Sequence, residues 1–290
     1  MIITYGVEDI KKRTSQDEFF YLVQKYPNVA FNYKWLPNYH TPENGYRHLF
    51  CGEPYIEVPE NWNIDIIKRY KTYITFNRKM AMKCQGITDV KIINGPLSCN
   101  NYYALDKFLG YNEKQRGIVM INKLHNTNME GDIYYLREKI MMEMKVSPFL
   151  VKHIYARHPW GGKMYQGNIP FVYSHYENLK KINEYLFCIC FESTYHPFWS
   201  WDFVTERLFN CFKSKTIAIY FGCYNIEEFV PKDLFIDYRD FDFDNNKLSD
   251  YLLSFPKHKY IEMANNAYEW NKSNKIGDVH TLEKILMELR

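Results

Sequence analysis

Residues 185–222, YLFCICFESTYHPFWSWDFVTERLFNCFKSKTIAIYFG, set two apolar runs around a polar, aromatic and charged middle. Glu192 follows directly on the apolar run, and Glu206 and Arg207 stand side by side where a helical pattern begins. A continuous apolar run of this length reads as a central strand of a parallel sheet, and such sheets collect ligands at the carboxyl ends of their strands. A helix start offers unpaired N–H donors and the positive end of the helix dipole, which suits phosphate. Thr205 is placed to cap that helix. Arg207 adds a guanidinium able to hold two phosphate oxygens at once. Glu206 can accept hydrogen bonds from a ribose diol. These types at this spacing suit a nucleotide diphosphate.

The elements that must position those residues follow from the hydropathy pattern. MIITYGV reads as a short strand, and QDEFFYLVQKYP as a helix stopped at Pro27. VAFNYKWL, RHLFCGEP, YKTYITFNRK and VKIINGP read as strands. A second series follows. RGIVMINK, VKHIYAR, YLFCICFE, KTIAIYFG and FIDYRDF are expected strands. IYYLREKIMMEM, ENLKKINEY, DFVTERLFNCFKS, NIEEFVP, NKLSDYLLSF, HKYIEMANNAYEWN and VHTLEKILMELR are expected helices. The alternation predicts an α/β protein with parallel sheets covered by helices. Two domains are expected, 1–112 and 113–290, joined near FLGYNEKQRG.

The 185–241 segment resembles the donor-binding signature of the α1,3/4-fucosyltransferases, glycosyltransferase family 10. That signature runs roughly Y-K-F-x-(L/I)-x-F-E-N, a variable loop, Y-(V/I)-T-E-K, a helix, and P-(I/V)-x-x-G. FVPKDLFIDYRDF continues the likeness, and RGIVMINK, VKHIYARHPWGG and FCGEP resemble the family more loosely. The resemblance implies a GT-B fold, with two facing Rossmann-like domains and a cleft between them. It implies an inverting, metal-independent transferase that moves a sugar from a nucleotide donor to a glycan hydroxyl, with GDP-fucose as the default donor.

By this resemblance Glu192, Ser193, Phe203, Thr205, Glu206 and Arg207 are donor-site positions. Ser193 stands where the family has Asn, Phe203 where it has Tyr, and Arg207 where it has Lys. These departures leave a UDP-sugar such as UDP-xylose open as the alternative donor. The family's further phosphate-binding Arg corresponds to no single position, and Lys123, His125 and Arg137 are all nearby. Arg157 and His158, at a strand end, are candidates for ligand contact or for loop structure. The resemblance also implies one carboxylate base from the first domain. Glu53 in CGEP is that candidate and Glu57 the reserve. Trp199 and Trp201, with Phe198, are candidates for acceptor or donor contact, or for a packed loop core. A non-catalytic carbohydrate-binding protein is the competing class.

Composition narrows the field. The chain has 290 residues, with a net charge of +3 and no Lys/Arg-rich tract, so nucleic acid is not an expected partner. Aromatic residues make up 18%, an excess that fits a Tyr-rich core or platforms for sugars and bases. The seven cysteines form no CxxC pair, and reduced thiols in a cytoplasmic protein fit them better than disulfides. No HExxH pattern occurs, and a lone D-x-D at Asp242 and Asp244 is too common a pattern to indicate a metal. GGK at 161–163 lacks the spacing of a phosphate-binding loop. No cofactor is expected, the nucleotide-sugar being a substrate. No signal-peptide pattern opens the sequence, and no apolar run is long enough to span a membrane.

Overall fold

The computed structural model describes residues 22, 24–32, 40–93, 104–122, 127–144, 151–155, 165–167, 175–274 and 279–289. The expected strand MIITYGV lies outside these residues, as do Lys123, His125, Arg157, His158 and the GGK triplet.

Two parallel sheets organise the chain. The first orders β1 (Val29–Phe31), β2 (His48–Cys51), β3 (Thr72–Thr75) and β4 (Asp89–Ile92) in sequence, every pair parallel. Among the described residues, helices α1 (Ile64–Ile67) and α2 (Arg78–Cys84) accompany them, and Leu22, Gln24 and Lys25 are also helical. The run YKTYITFNRK is strand only as far as Thr75. The Asn77 side chain accepts from Met80 N at 2.7 Å and so starts α2 there.

The second sheet contains β5 (Gln115–Ile121), β6 (Val151–Tyr155), β7 (Tyr165–Gly167), β8 (Tyr185–Phe191), β9 (Ile217–Phe221) and β10 (Ile236–Asp237). Its spatial order is β10-β9-β8-β5-β6-β7, again all parallel. The helices are α3 (Tyr134–Glu143), α4 (His175–Asn183), α5 (Glu206–Lys213), α6 (Asn245–Leu253), α7 (Lys257–Ser273) and α8 (Val279–Glu288). FIDYRDF pairs for only two residues. The Asp237 carboxylate accepts from Arg239 N at 2.9 Å and turns the chain into a 3-10 segment, a local bond that competes with the ladder. NIEEFVP likewise shortens to a three-residue 3-10 turn.

All seven residues of β8 are buried, as its unbroken apolar run requires of a strand covered on both faces. The sheet grows from β5 through β6 to β7 on one side, then restarts at β8 and grows through β9 to β10 on the other. The order therefore reverses between β5 and β8, the kind of switch point beside which open α/β sheets bind ligands at the carboxyl ends of their strands. At the opposite end, buried Lys114 donates to Asn183 O, Thr216 Oγ1 and Ser214 O at 2.8, 2.9 and 3.2 Å. One ammonium thus ties the start of β5 to α4, α5 and the approach to β9.

The two sheets present their carboxyl edges to each other. Asn77, just past β3, donates to Phe198 O and Trp201 O at 2.8 and 2.9 Å. Arg78 grips Asp202 through Nε and Nη2 at distances from 2.6 to 3.1 Å, and its backbone N–H reaches the same carboxylate at 2.9 Å. The last helix returns to the first sheet: Leu282 and Leu286 share a core with Leu22, Tyr26 and Phe31, and Lys25 pairs with Glu283 at 2.9 Å.

Candidate active site

The reversal between β5 and β8 places two polar residues side by side. Asn122 is the first residue past β5 and Glu192 the first past β8. The Glu192 side chain is fully buried and its oxygens are directed at the start of α5. Oε1 accepts from Thr205 N at 2.8 Å, and Oε2 from Thr205 Oγ1 at 2.7 Å. Arg207 Nη1 approaches Oε2 at 3.3 Å. Burial pushes the Glu192 pKa up, and the Arg207 charge with the two Thr205 donors works against that rise.

Room for this carboxylate comes from Gly222, the residue past β9. A Cβ there would stand 2.3 Å from Glu192 Cβ. Glycine is required because the neighbouring side chain occupies the space.

Arg207 is held by three groups. Nε donates to Asn122 Oδ1 at 3.3 Å, and Nη1 to Thr205 Oγ1 at 3.1 Å as well as to Glu192. The Arg207 side chain as a whole is about 30% exposed. Glu206, the first residue of α5, is half-buried beside it.

Arg137 projects from α3 to the same place. It is 1% exposed, donates through Nε and Nη2 to Phe191 O at 3.1 and 2.7 Å, and lies 4.4 Å over the Tyr134 ring. Burial, then the charge of Arg207, pulls its pKa down to about 10, so it remains a cation at neutral pH. Its Nη1 is buried with no hydrogen-bond partner, as is Nδ2 of Asn122. A buried donor without a partner is costly. Two of them beside two arginines form a site matched to an oxyanion.

The first sheet supplies the opposite wall. Glu57 Oε1 accepts from Tyr134 OH at 2.6 Å, one turn of α3 before Arg137. Glu53 is half-buried in the turn after β2, and its carbonyl accepts from Trp62 Nε1 at 3.2 Å. The two acidic candidates thus come from one short loop at the carboxyl end of β2.

The remaining candidates are distributed differently. Ser193 is buried, and its carbonyl accepts from Ile133 N at 3.1 Å. Thr205 uses its N–H and hydroxyl on Glu192, so it acts as a helix cap rather than a free ligand donor. Phe203 is one of the donor-site candidates named from the sequence. It is instead buried in the first sheet's core against Phe76, because the loop of residues 195–203 crosses to that sheet. Trp199 packs in the same cluster, stacked on Tyr55 at 4.2 Å. Trp201 lies under Lys79 Nζ at 3.6 Å and stacks on Tyr224 at the mouth between the sheets.

Asn122, Tyr134 and Asp202 join this region without having been singled out in the sequence. Asn122 carried a usable signal, being the first polar residue after the apolar run GIVMI, as Glu192 is after YLFCICF.

No curated protein sequence matches the chain. A profile for the C-terminal domain of glycosyltransferase family 10 (fucosyltransferase) matches residues 138–288, more than half of the chain. Among solved structures, an α1,3-fucosyltransferase shares 16% identity over 80% of this chain, with a TM-score of 0.47. The chain spans 66% of that protein's length, just under two thirds. An α1,3-fucosyltransferase with GDP-fucose shares 18% identity over 78% of this chain and 67% of its own, at 0.45. The N-terminal domain of Candida albicans trehalose-6-phosphate phosphatase shares 11% identity over 92% of this chain and 66% of its own, at 0.51. Likeness at such identities concerns the fold. The two facing parallel α/β sheets have the GT-B arrangement, and the matched domain takes in β8, α5 and β9 around Glu192 and Arg207. The chain belongs to glycosyltransferase family 10.

Proposed function

We propose that this chain is an inverting glycosyltransferase that moves a sugar from a nucleotide donor to a glycan hydroxyl. The family description names a fucosyltransferase, and GDP-fucose is the proposed donor. The observation carrying this reading is the cationic cluster at the β5/β8 reversal, with Arg137, Arg207 and two unpartnered buried donors around the start of α5. A nucleoside diphosphate would supply the oxyanions that these donors lack.

In the proposed reaction an acceptor hydroxyl oxygen forms a bond to the anomeric carbon as the carbon–diphosphate oxygen bond breaks on the opposite face. Glu53 takes the hydroxyl proton, with Glu57 as the alternative base. Arg207 and Arg137 offset the charge that develops on the departing diphosphate, a role that needs no metal ion. Glu206 would take the ribose. Lys123 and Arg157 are further proposed donor contacts. Trp201 is the proposed acceptor contact at the mouth.

A UDP-sugar such as UDP-xylose is the second donor reading. It is left open by Ser193, Phe203 and Arg207, which depart from the family's motif. The domain division at 112/113 is proposed on the same footing. A cytoplasmic setting is supported by the six buried free cysteines among the described residues. Among the described residues no helix is long and apolar enough to cross a membrane.

The test is a thermal-shift series with GDP, UDP, GDP-fucose and UDP-xylose, with and without EDTA, followed by a search for transfer to a panel of glycans. Stabilisation by GDP species that EDTA leaves unchanged, with transfer of fucose, is expected. Stabilisation by UDP species alone moves the donor. Nucleotide binding without transfer to any acceptor would leave a carbohydrate-binding protein. For Arg207→Ala a loss of about 1.5–3 kcal/mol in nucleotide affinity is expected, the scale of a charged hydrogen bond.

A further inference from the structure

Behind Arg207 three cysteines converge. Cys188 and Cys190 lie two residues apart on β8 and so share one face. Cys211 lies on α5, one helical turn after Arg207. All three are buried, with no more than 3% exposure. Their sulfurs lie within 4.8 Å of one another, Cys190 being 3.1 Å from Cys211 and 4.0 Å from Cys188. The walls are apolar and include Val119, Val204, Leu208 and Ala218.

This geometry selects a class of ion. Three sulfurs each about 2.3 Å from a shared ion in trigonal coordination stand roughly 4 Å apart. The Cys190–Cys188 separation matches that value, Cys190–Cys211 is shorter, and the third pair lies within 4.8 Å. Zinc takes four ligands in a closed site, and among the described residues no fourth His, Cys, Asp or Glu joins the group. Soft thiolates without a fourth ligand suit monovalent copper.

We propose that Cys188, Cys190 and Cys211 form a three-coordinate site for a soft monovalent metal ion, Cu(I), between β8 and α5. As each sulfur–copper bond forms, the thiol proton leaves to solvent, and copper stays monovalent throughout. The site is separate from the nucleotide pocket and does not depend on the transferase reading.

The test uses the full chain, reduced and held without oxygen, with Cu(I) supplied as its bicinchoninate complex. The wild type and Cys84→Ala, whose altered thiol belongs to the other core, are expected to withdraw one Cu(I) per chain and to melt at a higher temperature once loaded. Cys188→Ala and Cys211→Ala are expected to lose at least tenfold in affinity, with circular dichroism confirming that they fold. Should either fail to fold, X-ray absorption on the loaded wild type decides: three sulfur neighbours and no nitrogen or oxygen are expected. No withdrawal by the wild type, unchanged withdrawal by a folded Cys188→Ala, or an oxygen neighbour on the copper would overturn the proposal.

Discussion

The Glu192 side chain lies directly across Gly222, so closely that a Cβ at 222 would stand 2.3 Å from Glu192 Cβ and 2.4 Å from its Cγ. The helix cap at Thr205, the placement of Arg207 and the backbone after β9 therefore form one mechanical unit. Gly222→Ala should displace the carboxylate and destabilise the protein by about 1–3 kcal/mol, the range for overpacking a filled interior. Urea denaturation would measure this. The same variant should also lose nucleotide affinity, because Arg207 loses a holding partner.

Asp202 is 1% exposed, and the Arg78 fork is its main charged partner across the two sheets. Arg78 also reaches Glu228 at 2.5 Å. Arg78→Ala should cost about 1–3 kcal/mol, since Asp202 keeps Asn225 and the backbone N–H of residue 78 as donors. Arg78→Lys should recover only part of that, a point charge being unable to reproduce the fork. A double-mutant cycle with Asp202→Asn separates the pair from its surroundings.

The two acidic candidates near β2 separate kinetically. A general base contributes about 10²–10⁴-fold. Glu53→Gln should lower turnover by that factor and leave nucleotide affinity near the wild-type value. Glu57→Gln should act more weakly, chiefly by disturbing Tyr134 and, through it, Arg137. The reverse ranking in steady-state kinetics would make Glu57 the base.

Glu192 gives a pH signature. Burial raises its pKa above the ordinary 4.5, so the folded protein holds this proton to higher pH than the unfolded chain does. Stability falls with pH wherever the folded state binds more protons. The contribution of Glu192 is thus greatest below 4.5 and declines as pH rises through its raised pKa. Compared with Glu192→Gln, the wild type should lose relative stability across that window, measured by denaturation at stepped pH.

Much of this architecture is legible in residue order. The strands β2, β3, β5, β8 and β9 follow from apolar runs with polar ends, and α5 from Thr205 ahead of an apolar periodic segment. Side-chain capping is harder to read: Asn77 and Asp237 each end a strand by bonding the backbone locally, against an apolar pattern that would continue it. Long-range crossing is hardest. Phe203 lies beside donor-site residues in sequence, yet its ring belongs to the other sheet, and only the path of the 195–203 loop decides that. Arg137 was one of several cations in reach of the pocket. Its buried geometry against Phe191 O depends on how α3 docks, which its own segment does not encode.

The return of α8 to the first sheet bears on the order of assembly. Leu282 and Leu286 fill a core whose first described strand begins at Val29. On the ribosome, β1 to β4 emerge long before residues 279–288, so their apolar surface waits for a partner far along the chain. The second sheet and its helices draw their core from nearer segments and can close first. The first sheet is then completed last, and the cleft between the two takes its final form only when the far end of the chain docks.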